Sequence, residues 1–199
     1  MGFACVGTKP VGSLITSFAD LNPSNPGNFT FGAGLPGGTF SYQSGQLTLT
    51  ATPELALNIK GIVSTSDGFG FFFDDCTDAS AYTGVSFTIK GYAGPSGSLD
   101  FRIQTNANTV PNSANMRGSC IVPAGMTNTY ALCHGATSAI PVAATATVVS
   151  VNFSSLTGGA PNLTVSGKDI IGLEWAFTWS NGTPYDADVT IDDVQFTQP

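Results

Sequence analysis

The sequence predicts an all-β protein built as a sandwich of two antiparallel sheets, and three observations carry that expectation. Only 10% of the 199 residues are charged, while 24 Gly, 12 Pro and abundant Ser, Thr and Asn separate short apolar runs, a turn-rich composition. The one Ala-rich stretch, Ala143-Ala144-Thr145-Ala146-Thr147-Val148, is interleaved with Thr and lacks the Leu, Glu, Lys and Arg of an amphipathic helix. Several segments also alternate apolar and polar residues with the two-residue period of a strand. A chain of this length buries one good core, so a single domain over 1–199 is expected.

The elements follow in order. Ser13–Phe18 reads as a first strand, and a loop rich in Asn, Pro and Gly runs from Asn22 to Gly38. Gly38–Tyr42, Leu47–Ala51 and Leu55–Ile59 are short strands punctuated by Ser-Gly and Thr-Pro. In the aromatic run Phe69–Phe73, Phe71 and Phe73 share a core face and Phe72 points the other way. Val85–Lys90 puts Ser86, Thr88 and Lys90 on its polar face; Leu99–Gln104 does the same with Asp100, Arg102 and Gln104. Thr147–Phe153 alternates likewise, and Leu173–Trp179 sets Glu174 and Thr178 opposite a core face of Leu173, Trp175 and Phe177. Strands with one apolar and one polar face make a sandwich. The final strand, Val189–Phe196, breaks its alternation at Asp192-Asp193, as a β-bulge does.

Thirteen acids against six bases give a net charge of -7, which excludes the electrostatic footprint of a nucleic-acid binder and disfavours an anionic membrane. Hydroxyl and amide side chains outnumber charges, and such a surface suits polyhydroxylated ligands. No run reaches transmembrane length. The four cysteines form no C-x-x-C pair, and the single histidine, His134, makes a zinc site a poor reading. Cys120 and Cys133 bracket one short loop and are paired on that ground, leaving Cys5 with Cys76; three connectivities are open to four cysteines. Disulfides imply an oxidising compartment, hence a secreted protein. Met1-Gly2-Phe3-Ala4 has neither a basic nor an apolar leader region and reads as the start of a mature fragment. Sequons begin at Asn28, Asn152, Asn162 and Asn181, as chance allows in so Asn- and Thr-rich a chain.

The opening LITSFAD, the middle CTDASAYTGVSFTIKG with LDFRIQT, and the closing DIIGLEWAF and DVTIDDVQF resemble, in order and spacing, a family of jelly-roll modules with a galactose-binding-like fold. These are carbohydrate-binding modules attached to bacterial polysaccharide-degrading enzymes, of the type that binds mixed-linked β-glucans. The resemblance implies a noncatalytic, monomeric module, a polysaccharide ligand and a linked glycoside hydrolase. It also implies a structural Ca²⁺ held by Asp20 and by Asp192 or Asp193, with carbonyls from the loop after Asp20. The chemistry agrees, since Ca²⁺ wants several hard oxygen ligands; the competing reading has these acids capping local backbone N–H groups.

For the ligand face, Lys90, Arg102, Gln104 and Glu174 are expected together on a concave sheet, reading sugar hydroxyls, with Trp179, Tyr185, Tyr82 and Tyr92 as candidate stacking platforms. The bland alternative is an ordinary Arg102–Glu174 ion pair on a solvated sheet. Two rival functions stay open: a glycosidase or lyase using Asp100 and Glu174, and a structural or adhesive domain with no sugar site. A hydrolytic triad is disfavoured because His134 follows Cys133 directly and the chain has no G-x-S-x-G or H-E-x-x-H motif.

Overall fold

Alternation along each strand leaves one apolar face that has to be buried, and two sheets bury each other's. The computed structural model of the chain describes residues 2–19, 29–42, 46–113, 116–127, 129–161, 164–179 and 182–199. It contains β1 (Leu14–Thr16), β2 (Phe29–Thr30), β3 (Pro36–Tyr42), β4 (Leu47–Ala51), β5 (Leu57–Val63) and β6 (Gly68–Thr77). The second half supplies β7 (Gly84–Tyr92), β8 (Ser98–Thr105), β9 (Ala136–Pro141), β10 (Thr147–Asn152), β11 (Ile170–Phe177) and β12 (Tyr185–Thr197). A front sheet runs β2-β3-β6-β11-β8-β9; a back sheet runs β10-β7-β12-β5-β4, with β1 pairing β12. The strand pairs within both sheets are antiparallel, and the chain crosses repeatedly between sheets in the jelly-roll manner.

The core lies where β11 faces β7. Trp175 is fully buried, its indole stacked on Phe69 at 5.5 Å and met by Phe71, Phe87 and Phe101 at 5.2–5.3 Å. Phe69 and Phe71 come from β6, Phe101 from β8 and Phe87 from the back sheet, so one ring ties three front strands to the opposite layer. Cys5 is joined to Cys76, and Cys120 to Cys133.

Four local expectations are corrected. The strand expected over Leu55–Ile59 starts at Leu57: Thr52-Pro53 begins a turn in which the Leu55 and Ala56 N–H groups donate to the Thr52 carbonyl and hydroxyl, and Leu55 takes a φ of 68°. Part of the expected Asn22–Gly38 loop is the β2–β3 hairpin, because Phe31, Ala33 and Leu35 are buried; Asp20 and the rest of that stretch up to Asn28 lie outside the described residues. Phe153 opens a 3-10 turn instead of ending a strand, and β11 stops at Phe177, short of Trp179. The bulge in β12 is present: pairing with β7 skips from Asp192↔Thr88 to Gln195↔Ser86, and Asp193 has a φ of 50°.

Replacing Trp175 with Ala removes the ring on which four phenylalanines converge. The expected loss is about 3–5 kcal/mol in urea unfolding; a loss below about 1 kcal/mol contradicts this account of the core.

Candidate functional site

The polar face of β11 and β8 turns away from the core, toward solvent, on the front sheet. Register places Glu174 directly between Arg102 on β8 and Gly70 on β6, with Phe40 of β3 beyond Gly70. One row along, Tyr42, Gly68, Ala176 and Asp100 align; on the other side, Phe72, Gly172 and Gln104 do. Glu174 is only 7% exposed, and a carboxylate stripped of water is costly unless it is paired and hydrogen-bonded. Three donors meet it. Arg102 and the Tyr42 hydroxyl each donate to Oε1 at 2.7 Å, and the Gln104 amide donates to Oε2 at 2.7 Å.

Tyr42 reaches Glu174 from two strands away because the intervening strand carries glycine. The Tyr42 ring lies where a Cβ at Gly68 would sit, the Phe40 ring approaches Gly70 in the same way, and the two rings stack at 6.3 Å. Gly172 leaves room for the Gln104 amide. A bare backbone floor on β6 and β11 thus allows large side chains from β3 and β8 to lie flat across the sheet.

A loop completes the site. Tyr130, 53% exposed, lies beside the Arg102 guanidinium, 5.7 Å from its ring centre, an arrangement worth about 0.5–1 kcal/mol at an exposed position. His134 stacks on Tyr130 at 4.7 Å, its Nδ1 lies 2.7 Å from the Tyr130 carbonyl, and the Cys120–Cys133 disulfide closes the base of the loop. Between these groups is a depression of about 250 Å³, lined by Arg102, Gln104, Tyr130, His134 and Glu174 among others.

The electrostatics follow from the packing. Burial, then the Glu174 charge and hydrogen bond, push the Tyr42 phenol far above its ordinary range. Burial disfavours the Arg102 charge, but Glu174, with smaller help from Tyr130, Tyr42 and Asp100, outweighs it and holds the guanidinium above its ordinary value. Burial also raises the Tyr130 phenol.

Of the expected ligand residues, Arg102, Gln104 and Glu174 come together. Lys90 does not join them: it lies on the exposed face of the back sheet, opposite Thr190 of β12, because β7 pairs with β12 and β10. Tyr92 is exposed on that same distant face, opposite Asp188. Tyr82 stacks on Phe196 at 5.2 Å and packs against the core, Tyr185 donates its hydroxyl to the Thr178 carbonyl at 2.9 Å, and Trp179 packs at the core's edge; none of the three lines the depression around Glu174. The rings that do flank Glu174 and Arg102, namely Phe40, Tyr42 and Tyr130, were not foreseen. The signal for the first two was present: Phe40 and Tyr42 share a face, and Gly68 and Gly70 alternate with Phe69 and Phe71 on the facing strand. Nothing local in the sequence marks Tyr130, which the fold delivers through a disulfide-closed loop.

At the expected metal position, Asp20 lies outside the described residues. Asp192 accepts from the Asp193 N–H at 2.8 Å, and burial together with the Asp193 charge raises its carboxyl despite that bond. Among the described residues no group of three or more His, Cys, Asp or Glu gathers for a metal.

Fold and site together define a jelly-roll sandwich with an aromatic and polar cleft on one sheet, and solved carbohydrate-binding modules share this fold. A family 11 carbohydrate-binding module of a cellulosomal cellulase of Clostridium thermocellum matches with a TM-score of 0.55 at 13% identity, over 98% of this chain and 97% of that one. The family 11 module from Clostridium thermocellum in complex with a β-1,3-1,4-mixed-linked tetrasaccharide matches with 0.54 at 13%, over 98% of each chain. An agarase matches with 0.51 at 10%, over 81% of this chain and 24% of that one. No protein-family model matches the sequence, and no curated protein does.

Two outcomes test the site's construction. Glu174→Ala removes the anchor and leaves Arg102 without its closest partner, so unfolding free energy falls by about 3 kcal/mol; a loss near zero contradicts the anchor. In alkaline titration, Tyr185 is pushed by burial up to about 12 from an ordinary 10.0, and Tyr42 and Tyr130 are also raised. The folded state therefore holds these protons more tightly than the unfolded chain does. Their contribution to stability is complete below pH 10 and is lost as pH rises from about 10 toward 12 and beyond. Tyrosinate absorbance should show part of the five tyrosines ionising only as near-UV circular dichroism is lost; all five titrating near pH 10 with the native signal intact contradicts the burial.

Proposed function

We propose that this protein binds a polysaccharide, a β-glucan or a related polymer, on the exposed face of its front sheet without cleaving it. The observation that carries the reading is the locked array on Glu174: two planar hydrogen-bonding groups, Arg102 and Gln104, are held in fixed orientation beside the rings of Phe40, Tyr42 and Tyr130. Planar amide and guanidinium groups meet vicinal hydroxyls in pairs, and a ring face meets the C–H side of a pyranose. The fold shared with a module solved in complex with a mixed-linked tetrasaccharide supports the same reading.

Binding is favoured over hydrolysis by the state of the carboxylates. A glycosidase needs two carboxyl groups flanking the scissile bond, one to give a proton and one to attack or activate water. Both oxygens of Glu174 are engaged by Tyr42, Arg102 and Gln104, and Asp100 lies 3.9 Å from Arg102 as a second neighbour of the same guanidinium. His134, the one histidine, has Nδ1 against the Tyr130 carbonyl.

The proposal extends to setting. Two disulfides fit a secreted protein, and no helix among the described residues is long and apolar enough to cross a membrane. A monomer linked to a glycoside hydrolase suits a module whose task is to hold polymer. Ca²⁺ belongs to the proposal as a stabilising ion of Asp192 and Asp193 with Asp20; burial and the neighbouring Asp193 charge both disfavour the Asp192 carboxylate, and a cation would offset both.

Affinity electrophoresis against soluble polysaccharides, with reducing-sugar release measured in parallel, tests the function. The expected result is retardation by a β-glucan with no product; product release, or no retardation by any polymer, overturns it. Gln104→Ala and Tyr130→Ala leave the Arg102–Glu174 pair standing, so each should weaken binding roughly tenfold; the melting temperature should move only slightly in Tyr130→Ala, whereas Gln104→Ala also lowers it by taking the donor from Glu174 Oε2. Unchanged affinity in both moves the site elsewhere. Chelation by EDTA should lower the melting temperature, and an unchanged value removes the exchangeable ion.

A further inference from the structure

The chain contains two arginines, Arg102 and Arg117, against four lysines. Both arginines line the same side of the front sheet. Beyond the depression around Glu174 lies a second one of about 190 Å³, lined by Phe72, Arg117, Asn112 and Ile171. The two share Gln104, Thr109 and Val110 in their linings, so they adjoin on the same face of the sheet. Together they reach the lower part of the ~300–1,000 Å³ range of small-ligand clefts.

We infer that the depression between Phe72 and Arg117 is a second sugar subsite, and that the cleft takes an uncharged polysaccharide across at least two consecutive residues. The inference rests on the function proposed above. Its parts repeat those of the first depression. A guanidinium lies against an aromatic ring, Arg117 at 5.9 Å from the centre of Phe72 as Arg102 is at 5.7 Å from that of Tyr130. Arg117 is anchored by donating to the Phe73 carbonyl, which restrains its guanidinium as the bond to Glu174 restrains that of Arg102. Phe72 is the one residue of its aromatic run that points out of the core, half-buried and opposite Gly172, and it lines the second depression.

The case for an uncharged ligand comes from compensation. Burial lowers the Arg117 pKa, and the neighbouring carboxylates Asp74 and Asp75 act against that lowering; Glu174 and Asp100 surround Arg102. Each cation already faces acids, and the whole chain carries -7. A uronate would meet compensated guanidiniums in a negative field, whereas hydroxyls use the guanidinium as a directional donor at no such cost.

Calorimetric titration with β-1,3-1,4-mixed-linked oligosaccharides of two to six residues, and with oligogalacturonates of matching length, tests the inference. The native chain should gain about tenfold in affinity once the ligand spans both depressions, and should prefer the neutral series at every length. Arg117→Ala should keep the affinity for the shortest binding oligosaccharide and lose the gain with length. Phe72→Ala, which spares the Arg117 anchor on the backbone, should do the same and covers the case in which the arginine variant misfolds. If Gln104→Ala weakens all lengths while both subsite variants retain the gain, the subsite is overturned and the binding function stands. If the native chain binds neither series, both fall. Tighter binding of the oligogalacturonates overturns the neutral assignment.

Discussion

A carboxylate almost removed from water has to be compensated where it stands, and the exposed face of the front sheet is organised around that requirement at Glu174. Its partners come from two other strands and none is adjacent to it in sequence. Arg102 and Gln104 approach from β8, Tyr42 from β3, and the strand between Tyr42 and Glu174 must be empty of side chains for the hydroxyl to pass. The consequence is rigidity: a guanidinium and an amide that would otherwise sample many rotamers are held in place before any ligand arrives, which lowers the entropy lost on binding. Glu174 is therefore best regarded as a positioning residue, and the groups it holds as those that meet the ligand.

The same strand supports the site from behind. Along β11 the residues on either side of Glu174 are Leu173 and Trp175, both fully buried, and Trp175 is pinned by rings from β6, β7 and β8. Because side chains alternate, any slip in β11 register moves Glu174 and the core together. Site geometry is thus coupled to packing density, and the Tyr130 loop, closed by its own disulfide, is the part of the site least dependent on the core.

Much of this was legible in the sequence, for a physical reason. The period of two survives burial of one face, so Leu99–Gln104 and Leu173–Phe177 announce both the strands and the shared face of Arg102, Gln104 and Glu174. What the period does not carry is which strands become neighbours. Lys90 alternates as well as Arg102 does, yet its strand joins the back sheet, so grouping them was an error of topology and not of pattern. Tyr92 went astray with it, while Tyr82, Tyr185 and Trp179, judged only by nearness to loops, proved to pack against the core. β9 escaped notice because Ala136 and Ile140 are its only buried apolar residues, too thin a signal to separate from a loop. Tyr130 and Arg117 sit in irregular segments where no periodicity exists to read.

The central claim is that ligand meets the front sheet, and amide chemical-shift mapping of the labelled protein during titration with a mixed-linked β-glucan oligosaccharide tests it most directly. The account predicts perturbations concentrated at Phe40, Tyr42, Arg102, Gln104, Glu174 and the Tyr130–His134 loop, with the back sheet silent. Perturbations centred instead on Lys60, Lys90, Tyr92 and Asp188 would place the ligand on the opposite face and contradict it.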